Sequence, residues 1–86
     1  MPEICRFYGI VIKMFHQDHQ PPHFHAEHGE DQMIVAIETL AVIAGRLRPR
    51  AMGMVMEWAS QHQGDLLRVW EQARRLEQLD SIAPLQ

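Results

Sequence analysis

His23–Glu38 reads HFHAEHGEDQMIVAIE, and this stretch decides the fold. Alternate residues of a pleated strand share a face. Over His23–His28, His23, His25 and Glu27 therefore point one way, and Phe24, Ala26 and His28 the other. Phe24 and Ala26 suit a core facing the helices, which puts His23 and His25 on the open face. His28-Gly29-Glu30-Asp31 is a polar turn with a glycine, a hairpin signal. Gln32 to Glu38 is almost continuously apolar and reads as a well-covered strand. Strands joined by a tight turn run antiparallel, so a meander grows outward from this hairpin.

On the N-terminal side, residues 4–15 are rich in β-branched and aromatic types and read as one long strand. Tyr8, Ile10, Ile12 and Met14 fall on one face; Cys5, Phe7, Gly9, Val11, Lys13 and Phe15 fall on the other. Gly9 suggests a bulge or a close packing contact. Residues 16–22 form a loop, stiffened by Pro21-Pro22, that delivers His23 into its strand. On the C-terminal side, a tight connection at 39–41 leads to a short strand over 42–47. Pro49 suits the first position of a helix, because its missing N–H is not needed there. That helix runs over 49–62 with Ala51, Met54, Val55, Trp58 and Ala59 on one stripe, widened by Met52 and Met56. Gly64 marks a break, and a second helix covers 65–77 with Leu66, Trp70, Ala73 and Leu76 inward. Asp65 near its start and Arg74 and Arg75 near its end complement the helix dipole. The tail, 78–86, is irregular and lies back on the domain. The result is one α+β domain over 1–86: a three- to four-stranded antiparallel meander followed by two helices packed on one face.

At 86 residues and 47% hydrophobic content, the chain suits a single folded core. Its one cysteine, Cys5, permits no internal disulfide and fits a reducing cytoplasm, where it reads as an inert core thiol. No apolar run is long enough to span a membrane, and the first residues lack the pattern of a secretory signal. Eight basic residues against eleven acidic ones, a net charge of −3, argue against a simple nucleic-acid binder. The six histidines would carry that charge to +3 if all were protonated, so the surface responds to mild acid.

Several strings bring a family into view. They are Pro2-x-Ile4-x-Arg6-Phe7-Tyr8-Gly9, Asp18-His19-x-Pro21-Pro22-His23-Phe24-His25-Ala26, Ile37-Glu38, Pro49-Arg50, Glu57-Trp58 and Trp70. Through them the chain resembles, over nearly its whole length, the short bacterial proteins of domain-of-unknown-function family 4160. The Asp-His-x-Pro-Pro-His-Phe-His string is the specific part. Cys5, Phe15 and His28 depart from the pattern the resemblance leads one to expect, so it points to Asp18, His19, His23 and His25 rather than to His16 or His28. The resemblance implies no activity. Similar proteins are often encoded beside another small domain of unknown function, an arrangement like that of toxin–antitoxin pairs, which implies a small partner protein.

Three chemistries fit the residues. His19, His23 and His25, with Asp18 beside them, would hold a divalent transition metal such as zinc, nickel or iron(II), with a position left open for catalysis. Without a metal, Asp18 would orient His19 or His23 for acid–base work while Arg46, Arg48 and Arg50 hold a phosphate, which suits RNA cleavage. Alternatively, Met52, Met54, Met56, Trp58 and Trp70 offer apolar surface for a partner protein or a second copy. Each set also has an ordinary reading: loop histidines that pack, arginines on a solvated strand face, methionines and tryptophans in the core. The reading placed first is a protein-binding component of a two-gene, toxin–antitoxin-like module. The alternative is a hydrolytic enzyme, metal-dependent or ribonuclease-like, using Asp18, His19, His23 and His25.

Overall fold

The computed structural model describes residues 2–86. Five strands form a single antiparallel sheet in chain order: β1 (Glu3–Phe7), β2 (Ile10–Lys13), β3 (His23–His28), β4 (Asp31–Ala36) and β5 (Val42–Gly45). Two helices follow, α1 (Pro49–Gln61) and α2 (Gln63–Arg74). The α+β meander expected from the pattern is therefore present, with one strand more.

The additional strand comes from the N-terminal stretch. Residues 4–15 are not one strand but a hairpin that turns at Tyr8 and Gly9, whose φ values are 50° and 79°. Positive φ at both central residues is the type I′ geometry that matches the twist of a two-residue hairpin. Gly9 is thus a turn residue rather than a bulge. The turn also changes the facing of side chains. Phe7 pairs with Ile10 and Cys5 with Ile12, so all four share the core face. A straight strand would have placed Cys5 and Phe7 opposite Ile10 and Ile12.

The core is built on that face. Phe24, Ala26, Met33 and Val35 of the central hairpin are fully buried, as are Ile10, Ile12 and Met14. Trp58 of α1 closes over them, with its ring 5.6 Å from Phe7 and 5.9 Å from Phe24. Its Nε1–H donates to the Ala83 carbonyl at 2.8 Å. Truncating so central an indole to alanine removes on the order of 3–5 kcal/mol.

Element ends depart from the sequence reading in small ways with physical causes. β4 ends at Ala36 because the next pair of the same register is Ile37 with Pro22: the Ile37 N–H donates to the Pro22 carbonyl at 3.0 Å, but proline has no N–H to return the bond. β5 ends at Gly45, and Leu47 is buried beyond it. The helices meet at His62, not at Gly64, which lies inside α2. α2 ends at Arg74, so Leu76, expected on the inner stripe, sits at positive φ and is 63% exposed. The inner face of α2 is Leu66, Val69, Trp70 and Ala73. The three methionines Met52, Met54 and Met56 are half-buried around the core rather than exposed. The tail does lie back: the Ile82 N–H donates to the Ile4 carbonyl at 2.9 Å, which covers part of the β1 edge.

Candidate metal centre

The loop between β2 and β3 folds over the start of β3 and docks on the end of α2. The Gln17 N–H donates to the Ala73 carbonyl at 3.3 Å, and the His16 Nε2–H donates to the Glu77 carbonyl at 3.0 Å. Both contacts hold the loop in place, so His16 is a structural residue here. The chain passes through a cis Gln20–Pro21 peptide and delivers His23 to the first position of β3.

Asp18, His23 and His25 converge there. Asp18 Oδ2 lies 3.0 Å from His23 Nε2 and 3.2 Å from His25 Nε2. One ligand atom from each of the three residues lies within 4.8 Å of the others. The pleat explains the pair, since residues two apart on a strand share a face, and the loop supplies the carboxylate.

Each side chain is braced. The His23 ring is 5.2 Å from that of Trp70 and 5.3 Å from that of His25. His23 is only 8% exposed, so it does not line an open face as its strand parity suggests; Trp70 covers it at the end of the sheet. His25 is half-buried, with its ring edge-to-face with Phe15 at 4.7 Å. The Lys13–Glu27 ion pair, at 3.0 Å, lies beside it, since Lys13 is the cross-strand partner of His25. Asp18 takes a further hydrogen bond from the His19 backbone N–H at 2.9 Å. Burial pushes the Asp18 carboxyl up, but this N–H and the imidazoles of His25 and His23 outweigh it and leave the group below its ordinary value.

The state of His23 follows from its second nitrogen. Nδ1 lies 2.7 Å from the Pro21 carbonyl oxygen, which can only accept, so Nδ1 carries the proton and donates. In a neutral imidazole Nε2 then presents a lone pair, and it presents it to a carboxylate oxygen. Two lone pairs at 3.0 Å repel unless a proton or a cation lies between them. Either an imidazolium–carboxylate pair or a metal ion satisfies this arrangement. An N–H to a backbone carbonyl behind the ligating nitrogen is the usual way a metal-binding histidine is oriented. Ligand atoms about 2.1 Å from one ion, at angles between 90° and the tetrahedral value, sit roughly 3.0–3.4 Å apart. Both distances to Asp18 fall in that range.

Other residues expected at the site are elsewhere. The His19 side chain is exposed and outside the cluster; only its backbone contributes. His28 ends β3 and approaches Gly9. Arg46 and Arg48 follow β5, beside the β3–β4 turn: the Arg46 N–H donates to the Gln32 carbonyl, and Arg48 Nε is 3.9 Å from Asp31 Oδ2. The turn is the far end of β3 from His23, about 16 Å away at the usual rise per residue. These arginines cannot hold a phosphate against the histidines. Trp70 and Phe15 are the supporting residues that sequence reasoning did not connect to the site. Trp70 meets His23 only through the tertiary fold, and no local pattern announces it. Its Nε1–H is buried with no hydrogen-bond partner among the described residues.

A family model described as a domain of unknown function (DUF4160) matches residues 9–71, which include the whole cluster. No curated protein and no solved structure matches the chain.

Proposed function

The chain belongs to the domain-of-unknown-function family DUF4160, and we propose that within it Asp18, His23 and His25 form a divalent transition-metal centre used for hydrolysis. The carrying observation is the placing of the His23 ring: Nδ1 lies 2.7 Å from the Pro21 carbonyl oxygen, and Nε2 faces Asp18 Oδ2 at 3.0 Å, the spacing two ligands of one ion would have. Two imidazoles and one carboxylate suit zinc, nickel or iron(II) and leave at least one position free. A metal so held would supply a water activated near neutral pH and would polarise a carbonyl or phosphoryl oxygen. The chain's own part is to orient and to shield. Pro21 fixes the His23 ring, Phe15 props His25, and Trp70 keeps water from one side.

The test is hydrolysis of bis(p-nitrophenyl) phosphate and p-nitrophenyl acetate by untagged protein reloaded with zinc, nickel or cobalt(II). Turnover above that of the free metal is expected, lost in His25→Ala and retained in His19→Ala. Turnover equal to free metal with both substrates would defeat the hydrolytic reading.

A second reading, the partner-binding component of a toxin–antitoxin-like pair, draws on the edge of the sheet rather than the methionines. All four residues of β5 are exposed, and Ile43 is 49% exposed with no proline or charge within the strand to guard it. Such an edge accepts an added strand. Ile43→Lys should abolish assembly with the product of a co-encoded small gene and leave metal binding unchanged; assembly that survives the substitution would remove this reading.

A further inference from the structure

A cavity lies away from the histidine centre, where the β1–β2 turn faces the start of α1. It has a volume of about 630 Å³, and its walls include Tyr8, His28, Arg48, Arg50, Met54 and Glu57. That volume lies within the usual range for small-molecule sites.

Its chemistry is divided. Arg48 and Arg50 bring two fixed positive charges to one end. The Arg48 side chain is 84% exposed and has only a loose contact with Asp31. Arg50 is exposed and makes no ion pair or side-chain hydrogen bond among the described residues. Arg48 caps α1 and Arg50 lies in its first turn, which contains no acidic residue. Cations at the positive end of a helix are unfavourable, and an anion between them reverses the sign of that interaction. Arginine forks match phosphate oxygens, and His28 adds another polar group. Met54 supplies an apolar wall.

Tyr8 is the second observation. It is 62% exposed and holds φ at 50°, in a turn position that favours asparagine, aspartate or glycine. A non-glycine residue held there is strained by something on the order of 1 kcal/mol. The side chain recovers little of this by burial, so it is poorly explained as a stabilising residue. An exposed phenol ring on the wall of a cationic cavity, edge-on to Phe7 at 6.5 Å, is suited to stack on a flat ring. Glu57, on the same cavity, can accept hydrogen bonds from sugar hydroxyls or an exocyclic amine.

We propose that this cavity binds a mononucleotide, with Arg48 and Arg50 on the phosphate and Tyr8 against the base. A longer polyanion fits less well. Asp31 beside Arg48 and Glu57 within the cavity would meet its further phosphates, and the chain carries a net charge of −3.

The experiment is calorimetric titration of the metal-free full chain with adenosine 5′-monophosphate, inorganic phosphate, adenosine and a single-stranded ten-residue oligoadenylate. One monophosphate should bind per chain, at least about tenfold more tightly than phosphate or adenosine alone, because both ends of the cavity contribute. Arg50→Ala should weaken it by about tenfold and leave zinc binding intact. Tyr8→Asn should weaken it while raising the melting temperature, since asparagine tolerates the turn geometry. This opposed pair of effects separates a binding role from a structural one. Phosphate binding as tightly as the nucleotide, the oligonucleotide binding more tightly than either, or nucleotide affinity unchanged in Arg50→Ala would each overturn the assignment, as would the absence of saturable binding.

Discussion

Replacing the histidines of the motif one at a time by alanine, in metal-free protein, should give a steep gradient in stability. His23→Ala removes a ring that is 8% exposed and packs on Trp70 at 5.2 Å, and it deprives the Pro21 carbonyl and Asp18 of a partner. An aromatic contact contributes about 0.5–1.5 kcal/mol and a hydrogen bond a similar amount, and a partly collapsed cavity adds to them. The sum is about 2–4 kcal/mol, a large fraction of the ~4–13 kcal/mol that holds a chain of this length folded. His25→Ala leaves a half-buried position and loses the Phe15 contact and the hydrogen bond to Asp18, so about 1–2 kcal/mol is expected. His19→Ala removes an exposed ring and should fall within about 0.5 kcal/mol of wild type. Urea denaturation followed by tryptophan fluorescence reads all three. Zinc at about a hundred times its dissociation constant should then add about 2.7 kcal/mol to wild type and to His19→Ala, and nothing comparable to His23→Ala. Equal losses for His19→Ala and His23→Ala would refute the placement of these side chains.

Three further predictions concern the scaffold. Gly45 has φ at 69°, and a Cβ there would meet the Gln32 carbonyl oxygen at 2.2 Å. Gly45→Ala should therefore open the β4–β5 edge and cost about 2–4 kcal/mol, through left-handed strain and lost ladder bonds. Gly53→Ala, with open space around it in α1, should instead stabilise by about 0.5–1 kcal/mol in the same denaturation assay. The Asp65 carboxyl is held below its ordinary value by hydrogen bonds from His62 and then Arg68. A folded value below the unfolded one stabilises the protein at higher pH, and this contribution is lost as pH falls through the folded value. Wild type should be more stable than Asp65→Asn at neutral pH, and the gap should close below about pH 4. A gap that persists unchanged in acid would contradict that origin.

The central hairpin was legible because its signals are local: alternation in His23–His28, a glycine turn, then an apolar run. Pro49 marked the start of α1 for the same reason. The β1–β2 hairpin was hidden because Tyr8-Gly9 lacks the asparagine or aspartate that usually announces a two-residue turn, and the flanking apolar run masks the break. Missing it inverted the facing of Cys5 and Phe7. The end of α2 was misplaced because Leu76 continues the helical spacing while the backbone does not. At the site, His23 and His25 were legible as a pair by strand parity, and Asp18 by its place in the loop. His19 was not separable from them in the sequence, because only the loop's fold turns its ring to solvent and its N–H to Asp18. Arg48 looked near in the chemistry of the chain, yet the meander carries it to the other end of β3.

The metal content of untagged protein, purified without a metal resin, tests the account most directly. Elemental analysis of wild type beside the His23→Ala/His25→Ala variant is sufficient. Close to one transition-metal ion per chain in wild type, absent from the double variant, is the predicted result. A metal-free wild type that also fails to bind zinc tightly on titration would contradict the account and leave Asp18, His23 and His25 as a hydrogen-bonded brace for the loop.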